Sequence, residues 1–130
     1  MEVDLELAEL DRLGKVIVDA AFKVHKALGP GLLESVYEIC LFHEMTKRGL
    51  KVHRQVDVPI RYDDLLLESG LRIDLMVEEK IIIELKAVDR MIPVFEAQLL
   101  SHLKLARKRL GYLINFHVPL IKDGIKRMMF

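Results

Sequence analysis

The chain has 130 residues, 52% of them apolar and 31% charged, which fits a single folded domain and excludes a disordered chain. No apolar run approaches the ~20 residues that span a bilayer, and the acidic opening MEVDLELAELDR lacks the basic start and apolar centre of a secretory signal. A cytoplasmic protein without membrane contact is therefore expected. Twenty Lys and Arg balance twenty Asp and Glu, so the total charge announces no polyanion partner. The balance is uneven, however. Residues 101–130 carry seven cations, among them Lys104, Arg107 and Lys108 at helical spacing, against Asp123 alone. A solvated helix face accounts for such a run, and a phosphate backbone is the other thing it could meet. The lone Cys40 excludes an internal disulfide and a cysteine zinc site, leaving a buried structural thiol as the expectation.

Leu10, Leu13, Ile17, Ala20, Val24 and Ala27 recur at steps of three and four, the stripe of a helix facing a core. Gly14 interrupts it, so the helix is placed over 15–28 with residues 1–14 as a helical extension, and 29-GPG-31 ends it. A second helix follows in 32–49, with Leu33, Val36, Tyr37, Cys40 and Leu41 as its inner face. The segment 51–61 alternates imperfectly as a strand in which Pro59 predicts an edge or a bulge. Asp63 and Asp64 mark a turn. A strand at 71–77, the connection 78-EEK-80 and a strand opening 81-III-83 come next, the last apolar enough to be buried on both faces. Pro93 opens a helix reaching about Arg109, with Phe95, Leu99, Leu103 and Ala106 inward, and 112-YLINF-116 is a further strand. The order α-α-β-β-β-α-β in one domain over 1–130 suggests an α/β or α+β sandwich.

Into the two central strands the segment 71-LRIDLMVEEKIIIELKAV-88 places Asp74, Glu84 and Lys86. Alternation puts Ile82, Glu84 and Lys86 on one face. A three-residue loop at 78–80 pairs Val77 with Ile81, which sets Asp74 opposite Glu84 and Arg72 opposite Lys86, whereas a two-residue loop would not. Two carboxylates face to face are unfavourable unless something positive lies between them, and a divalent cation meets that need. A wetted ladder of cross-strand ion pairs is the other reading of the same residues.

The block 25-HKALGPGLLESVY-37 contains Gly31, Glu34 and Tyr37 in the spacing G-x-x-E-x-x-Y. It resembles the GxxExxY protein family, which looks like a branch of the PD-(D/E)XK nuclease superfamily, and the likeness runs on through RIDLMVEEKIIIELKAV, 97-AQLLSHLKL-105 and 112-YLINF-116. The resemblance implies a restriction-endonuclease-like α/β core, a central mixed sheet flanked by helices. It implies that Asp74 and Glu84 bind the metal, Mg2+ or Mn2+, that Glu34 adds a carboxylate from a helix, and that Lys86 is the catalytic lysine. Gln98 matches a glutamine frequent on the following helix. Ile73 replaces the proline of the superfamily's name, and His117 stands where a glycine is often found. Tyr37 reads as a packing residue with a polar tip, and His25, His43, His53 and His102 as structural or solvent-facing.

The function these residues imply is metal-dependent hydrolysis of nucleic-acid phosphodiester bonds, with DNA foremost. Lys104, Arg107 and Lys108 would lie on the backbone, and a homodimer would serve to cut two strands. The alternative is an inactive nuclease fold that binds nucleic acid or protein.

Overall fold

The computed structural model describes residues 4–130; residues 1–3 of the expected helical extension lie outside the described residues. The Asp4 side chain accepts from the Leu7 amide at 2.9 Å and caps α1, Leu5–Leu28. The helix runs through Gly14 without a break, contrary to the expectation. Gly14 is needed for packing instead: the Tyr112 hydroxyl occupies the space where a Cβ would stand. Gly29, at φ 70°, closes the helix.

The second helix, α2, spans Glu34–Lys47. Its buried face is Tyr37, Glu38, Leu41, Glu44 and Met45 rather than the expected set. Leu33 is 74% exposed and Cys40 only half-buried. The face is rotated because two carboxylates are buried with partners, those of Glu38 on β1 and that of Glu44 at the end of the same helix. Glu38 accepts from Arg54 (2.9 Å) and Gln55 (2.7 Å), and Glu44 accepts from Arg48 (2.8 Å).

The five strands are β1 (Val52–Tyr62), β2 (Leu65–Val77), β3 (Ile81–Lys86), β4 (Leu110–Asn115) and β5 (Ile125–Met129). They form one sheet in the order β1-β2-β3-β4-β5. Only β3 and β4 are parallel, and the helix α3, Pro93–Ala106, makes the crossover that a parallel pair requires. This mixed α/β architecture is consistent with a restriction-endonuclease-like fold and follows the expected order. A short 3-10 turn, Ile121–Gly124, and β5 are added after the last expected strand.

Helices α1 and α2 cover one face of the sheet, where Leu13, Ile17, Tyr37 and Leu41 pack with Ile81, Ile83, Leu85 and Ile114. Helix α3 covers the other with Leu99 and Leu103 against Ile73, Ile82 and Leu113. Strand β3 is thus buried from both sides, as its three isoleucines predict, and Ile81, Ile82 and Ile83 are fully inaccessible.

The block 25–37 makes the turn between the first two helices. Gly31 adopts φ 97°, open to glycine and strained for other residues. Tyr37 stacks on Phe116 with ring centroids 4.6 Å apart, donates its hydroxyl to the Gly29 carbonyl (2.6 Å) and accepts from the Leu32 amide (3.0 Å). It is a packing residue whose polar tip ties down the turn. Replacing Tyr37 by Phe keeps the stack but leaves the carbonyl and the amide to find new partners. A loss of about 1–2 kcal/mol is expected in urea unfolding.

Candidate active site

Strands β2 and β3 are joined by the three-residue connection 78–80, in which Glu78 and Glu79 adopt positive φ and the Lys80 amide donates to the Val77 carbonyl. The register is the expected one: Val77 pairs with Ile81, Met76 with Ile82 and Leu75 with Ile83. There the regular ladder stops. The strands part at the next position, and Asp74 Oδ2 accepts from the Leu85 amide at 2.8 Å, a side chain replacing a backbone partner. Neither of the expected ladder pairs beyond this point, Asp74 with Glu84 or Arg72 with Lys86, forms; the two carboxylates meet only through their side chains. Arg72 belongs to the β1 side, opposite Asp57 and bonded to it at 3.3 Å.

Two local features make the split. Leu75 and Val77 pack toward α1 and α2, whereas Leu71 and Ile73 pack toward α3, so the in-and-out alternation of β2 slips at Asp74. In the facing strand β1, Gln55 has φ 52° between the pairs Arg54–Leu75 and Val56–Ile73. A strand kinked at this point turns Asp74 away from the solvated side and into the gap beside Glu84.

Asp74 is partly buried, and its carboxyl is pushed up to about 6. Desolvation is the first cause, and the neighbouring Glu84 carboxylate adds to it. The Leu85 amide and the Lys86 charge oppose the shift. Glu84, 8% exposed, lies 2.6 Å through Oε1 from Nδ1 of His102 on α3. Glu34, the first residue of α2, is exposed at the edge of the group. Its carboxyl is raised above the ordinary value by desolvation, then by Asp74, against the pull of Lys86. Three carboxyls and one ammonium are therefore in electrostatic contact at the end of β3.

Lys86 is half-buried with Nζ 4.4 Å from the centroid of the Phe95 ring, a cation–π contact with the first turn of α3. Its carbonyl accepts from the Phe116 amide at 2.9 Å. Beyond it the chain is clamped by Asn115, 2% exposed, whose side chain exchanges hydrogen bonds with both backbone groups of Val88 (3.1 and 2.9 Å) and accepts from the His117 amide. The end of β3 is held from two sides.

Gln98 lies on α3 one turn before His102, exposed and without a side-chain hydrogen bond among the described residues. His102 is the residue that reading by histidine spacing overlooks. The helix period does point to it, because His102 falls three residues after Leu99 and beside Leu103, on the side of α3 that faces the sheet. Of the other histidines, His25 Nε2 lies 2.8 Å from the Val118 carbonyl, His53 lies near Glu79 and His117 lies 2.9 Å from Asp89.

Lys104, Arg107 and Lys108 gather at the far end of α3. Lys108 Nζ donates to the Glu79 carbonyl of the β2–β3 turn, and Lys104 and Arg107 line a groove against β1. Among the described residues no three His, Cys, Asp or Glu side chains are already gathered closely enough to hold a metal ion. No described helix is long and apolar enough to cross a membrane.

Comparison with known proteins agrees with this geometry. Neither the curated proteins nor the solved structures gave a match. A family model described as the PD-(D/E)XK nuclease superfamily matches residues 11–128, from the second turn of α1 to the end of the sheet, and includes Glu34, Asp74, Glu84 and Lys86. The chain belongs to the PD-(D/E)XK nuclease superfamily.

Proposed function

We propose that the protein is a metal-dependent nuclease that hydrolyses phosphodiester bonds of nucleic acid, DNA foremost, at the split between β2 and β3. The observation that carries this reading is the meeting of Asp74 and Glu84 where the ladder stops, with Lys86 two residues further along the same strand. Nuclease-superfamily membership supports the substrate class. The narrower kinship with GxxExxY proteins belongs to the same proposal and rests on Gly31, Glu34 and Tyr37.

The donor set fits a hard divalent cation. Asp74 and Glu84 would hold it directly and Glu34 would complete the shell, through water if need be; carboxylate oxygens of this kind suit Mg2+ or Mn2+. Asp74 is the structural sign of fit, because desolvation and Glu84 together disfavour its charge when no cation is present. Once bound, the cation supplies polarisation of a phosphoryl oxygen and lowers the pKa of water. The residues of the chain provide the rest. The Leu85 amide fixes the rotamer of Asp74, His102 orients Glu84, and Lys86 places a positive charge beside the developing negative one. Gln98, on the same helix, would reach a phosphate or the attacking water from the exposed side.

Cutting both strands of a duplex with one site per chain calls for two copies. Lys104, Arg107 and Lys108 would add cations toward the nucleic-acid backbone; the first two border the groove beside β1, and Lys108 lies at the β2–β3 turn.

Calorimetric titration of Mn2+ or Mg2+ into wild type and Glu84→Ala, with cleavage of mixed DNA and RNA substrates by the same samples, tests the reading. Wild type should bind and cut, and Glu84→Ala should lose at least about 100-fold in cleavage together with its metal binding. Wild type that binds nucleic acid but binds no metal and forms no cleavage product would instead establish the inactive binding module.

A further inference from the structure

The distal half of the β1–β2 hairpin takes no part in the site. The register of β1 on β2 shifts between Val58 and Ile60, where Pro59 faces the extra residues of β2 before Leu71. Gly70 is required there, because Ile60 fills the space of a Cβ. A bulge bends a hairpin, and this one carries an arm, Ile60–Leu67, whose strands pair with each other alone. The arm is apolar and uncovered: Tyr62 is 71% exposed, Leu65 55%, Leu66 48% and Leu67 45%. Its turn and shoulder carry Asp63, Asp64 and Glu68, none of which makes an ion pair among the described residues.

Beneath the arm, between its base and the last turn of α3, runs a groove of about 530 Å3. Its floor is apolar, with Pro59, Ile60, Leu66 and Leu105, and its rim carries Arg61, Lys104 and Arg107. These three cations are exposed and likewise form no ion pair among the described residues, as is also true of Arg90, whereas Arg12, Arg48, Arg54, Arg72, Arg109 and Arg127 are paired. An unpaired acidic, leucine-bearing tip and an unpaired basic, apolar groove thus lie on the same molecule.

We propose that this face is the interface between two copies of the chain, each inserting its arm tip, Tyr62–Leu65, into the groove of the other. A two-fold axis makes the exchange reciprocal: Asp63 and Asp64 of each copy meet Lys104, Arg107 and Arg61 of the other, and Tyr62 and Leu65 cover the groove floor. The arm, Ile60–Leu67, with the last turn of α3 supplies about a dozen residues per side, fewer than the ~20–30 of a standard interface, so complementary charge has to carry much of the association. Nucleic acid fits the surface less well, because the arm that forms one side of the groove carries Asp63, Asp64 and Glu68 beyond it, which repel phosphate. The assignment stands independently of the nuclease reading, since it uses none of Glu34, Asp74, Glu84 or Lys86.

Charge exchange tests it by sedimentation equilibrium at micromolar concentrations. One variant combines Asp63→Lys with Asp64→Lys; the other combines Lys104→Glu with Arg107→Glu. Wild type should sediment with the mass of two chains, and added salt should weaken the dimer. Each variant alone should be folded by circular dichroism and associate at least about tenfold more weakly, because tip and groove then repel. An equimolar mixture should restore the dimer, since in the mixed pair both contacts are again complementary. A monomeric wild type, a dimer untouched by either variant, or a mixture that does not recover overturns the proposal. A monomeric wild type whose binding to a labelled DNA oligonucleotide is lost in the Lys104→Glu, Arg107→Glu variant overturns it in favour of a nucleic-acid groove.

Discussion

Asp74→Asn should make the protein more stable at neutral pH while abolishing metal-dependent cleavage. The Asp74 carboxyl titrates near 6 in the folded chain against an ordinary value of 3.8, so between those pH values the folded state binds more protons than the unfolded state. The stability this group contributes is full below its unfolded pKa and is lost as pH rises through 6. Above that, the folded protein retains a desolvated charge beside Glu84. The shift corresponds to an upper bound of ~3 kcal/mol, and solvent screening at a partly exposed site reduces it to about 1–2 kcal/mol. Asparagine removes the charge, keeps an oxygen for the Leu85 amide and turns an amide hydrogen toward Glu84.

Urea unfolding at pH 8 should therefore favour the variant by that amount, and at pH 3.5 the difference should vanish. Mg2+ should reverse the order. Wild type gains RT ln(1 + [L]/Kd), roughly 2.7 kcal/mol at a hundred times Kd and so more than its deficit, whereas the variant lacks one of its two direct ligands and gains little. A variant less stable than wild type at pH 8, or one stabilised equally by Mg2+, would show that Asp74 serves the fold and not a cation.

Such strain explains which parts of the site can be read from the chain. Local rules carry far where one segment decides the outcome. Three isoleucines in a row require a strand buried on both faces, and a three-residue turn at 78–80 then carries the pairing back to Leu75 and Ile83. From there alternation puts Asp74, Glu84 and Lys86 together. What alternation misses is the next step, where Asp74 takes the Leu85 amide and β2 slips its pleat, because that depends on the kink at Gln55 in a different strand.

The inner face of α2 is illegible for a related reason. Glu38 can be buried only because Arg54 neutralises it and Gln55 donates to it, both from β1, and a helical stripe of apolar residues gives no hint of those partners; the Glu44–Arg48 pair is spaced i,i+4 along the chain, but the spacing does not tell that Glu44 lies inside. The first half of β2 and the whole of β5 are bare of apolar alternation because most of their residues are exposed, so period-2 patterning has nothing to report. Glu34 is legible through the family pattern alone. Its nearness to Asp74 follows from the turn that Tyr37 fastens, not from any spacing along the chain.

Lys86→Met should separate chemistry from metal binding. Methionine matches the length of lysine and can keep the contact with the Phe95 ring through its sulfur, so α3 should stay seated on the sheet. The main-chain clamp by Phe116 and Asn115 does not involve the lost ammonium. What disappears is a positive charge that favours ionised Asp74 and Glu34. A cation held by those carboxylates competes with that charge, so Mn2+ affinity should be unchanged or higher in the variant. Cleavage should nevertheless fall by about 10²–10³ in kcat, roughly 3–4 kcal/mol, the range for removing one electrostatic stabiliser of a transition state. Glu84→Ala loses binding and cleavage together, whereas Lys86→Met should retain the first and lose the second. Loss of both in Lys86→Met would make the lysine a structural partner of the carboxylates, and unimpaired cleavage would remove it from the reaction altogether.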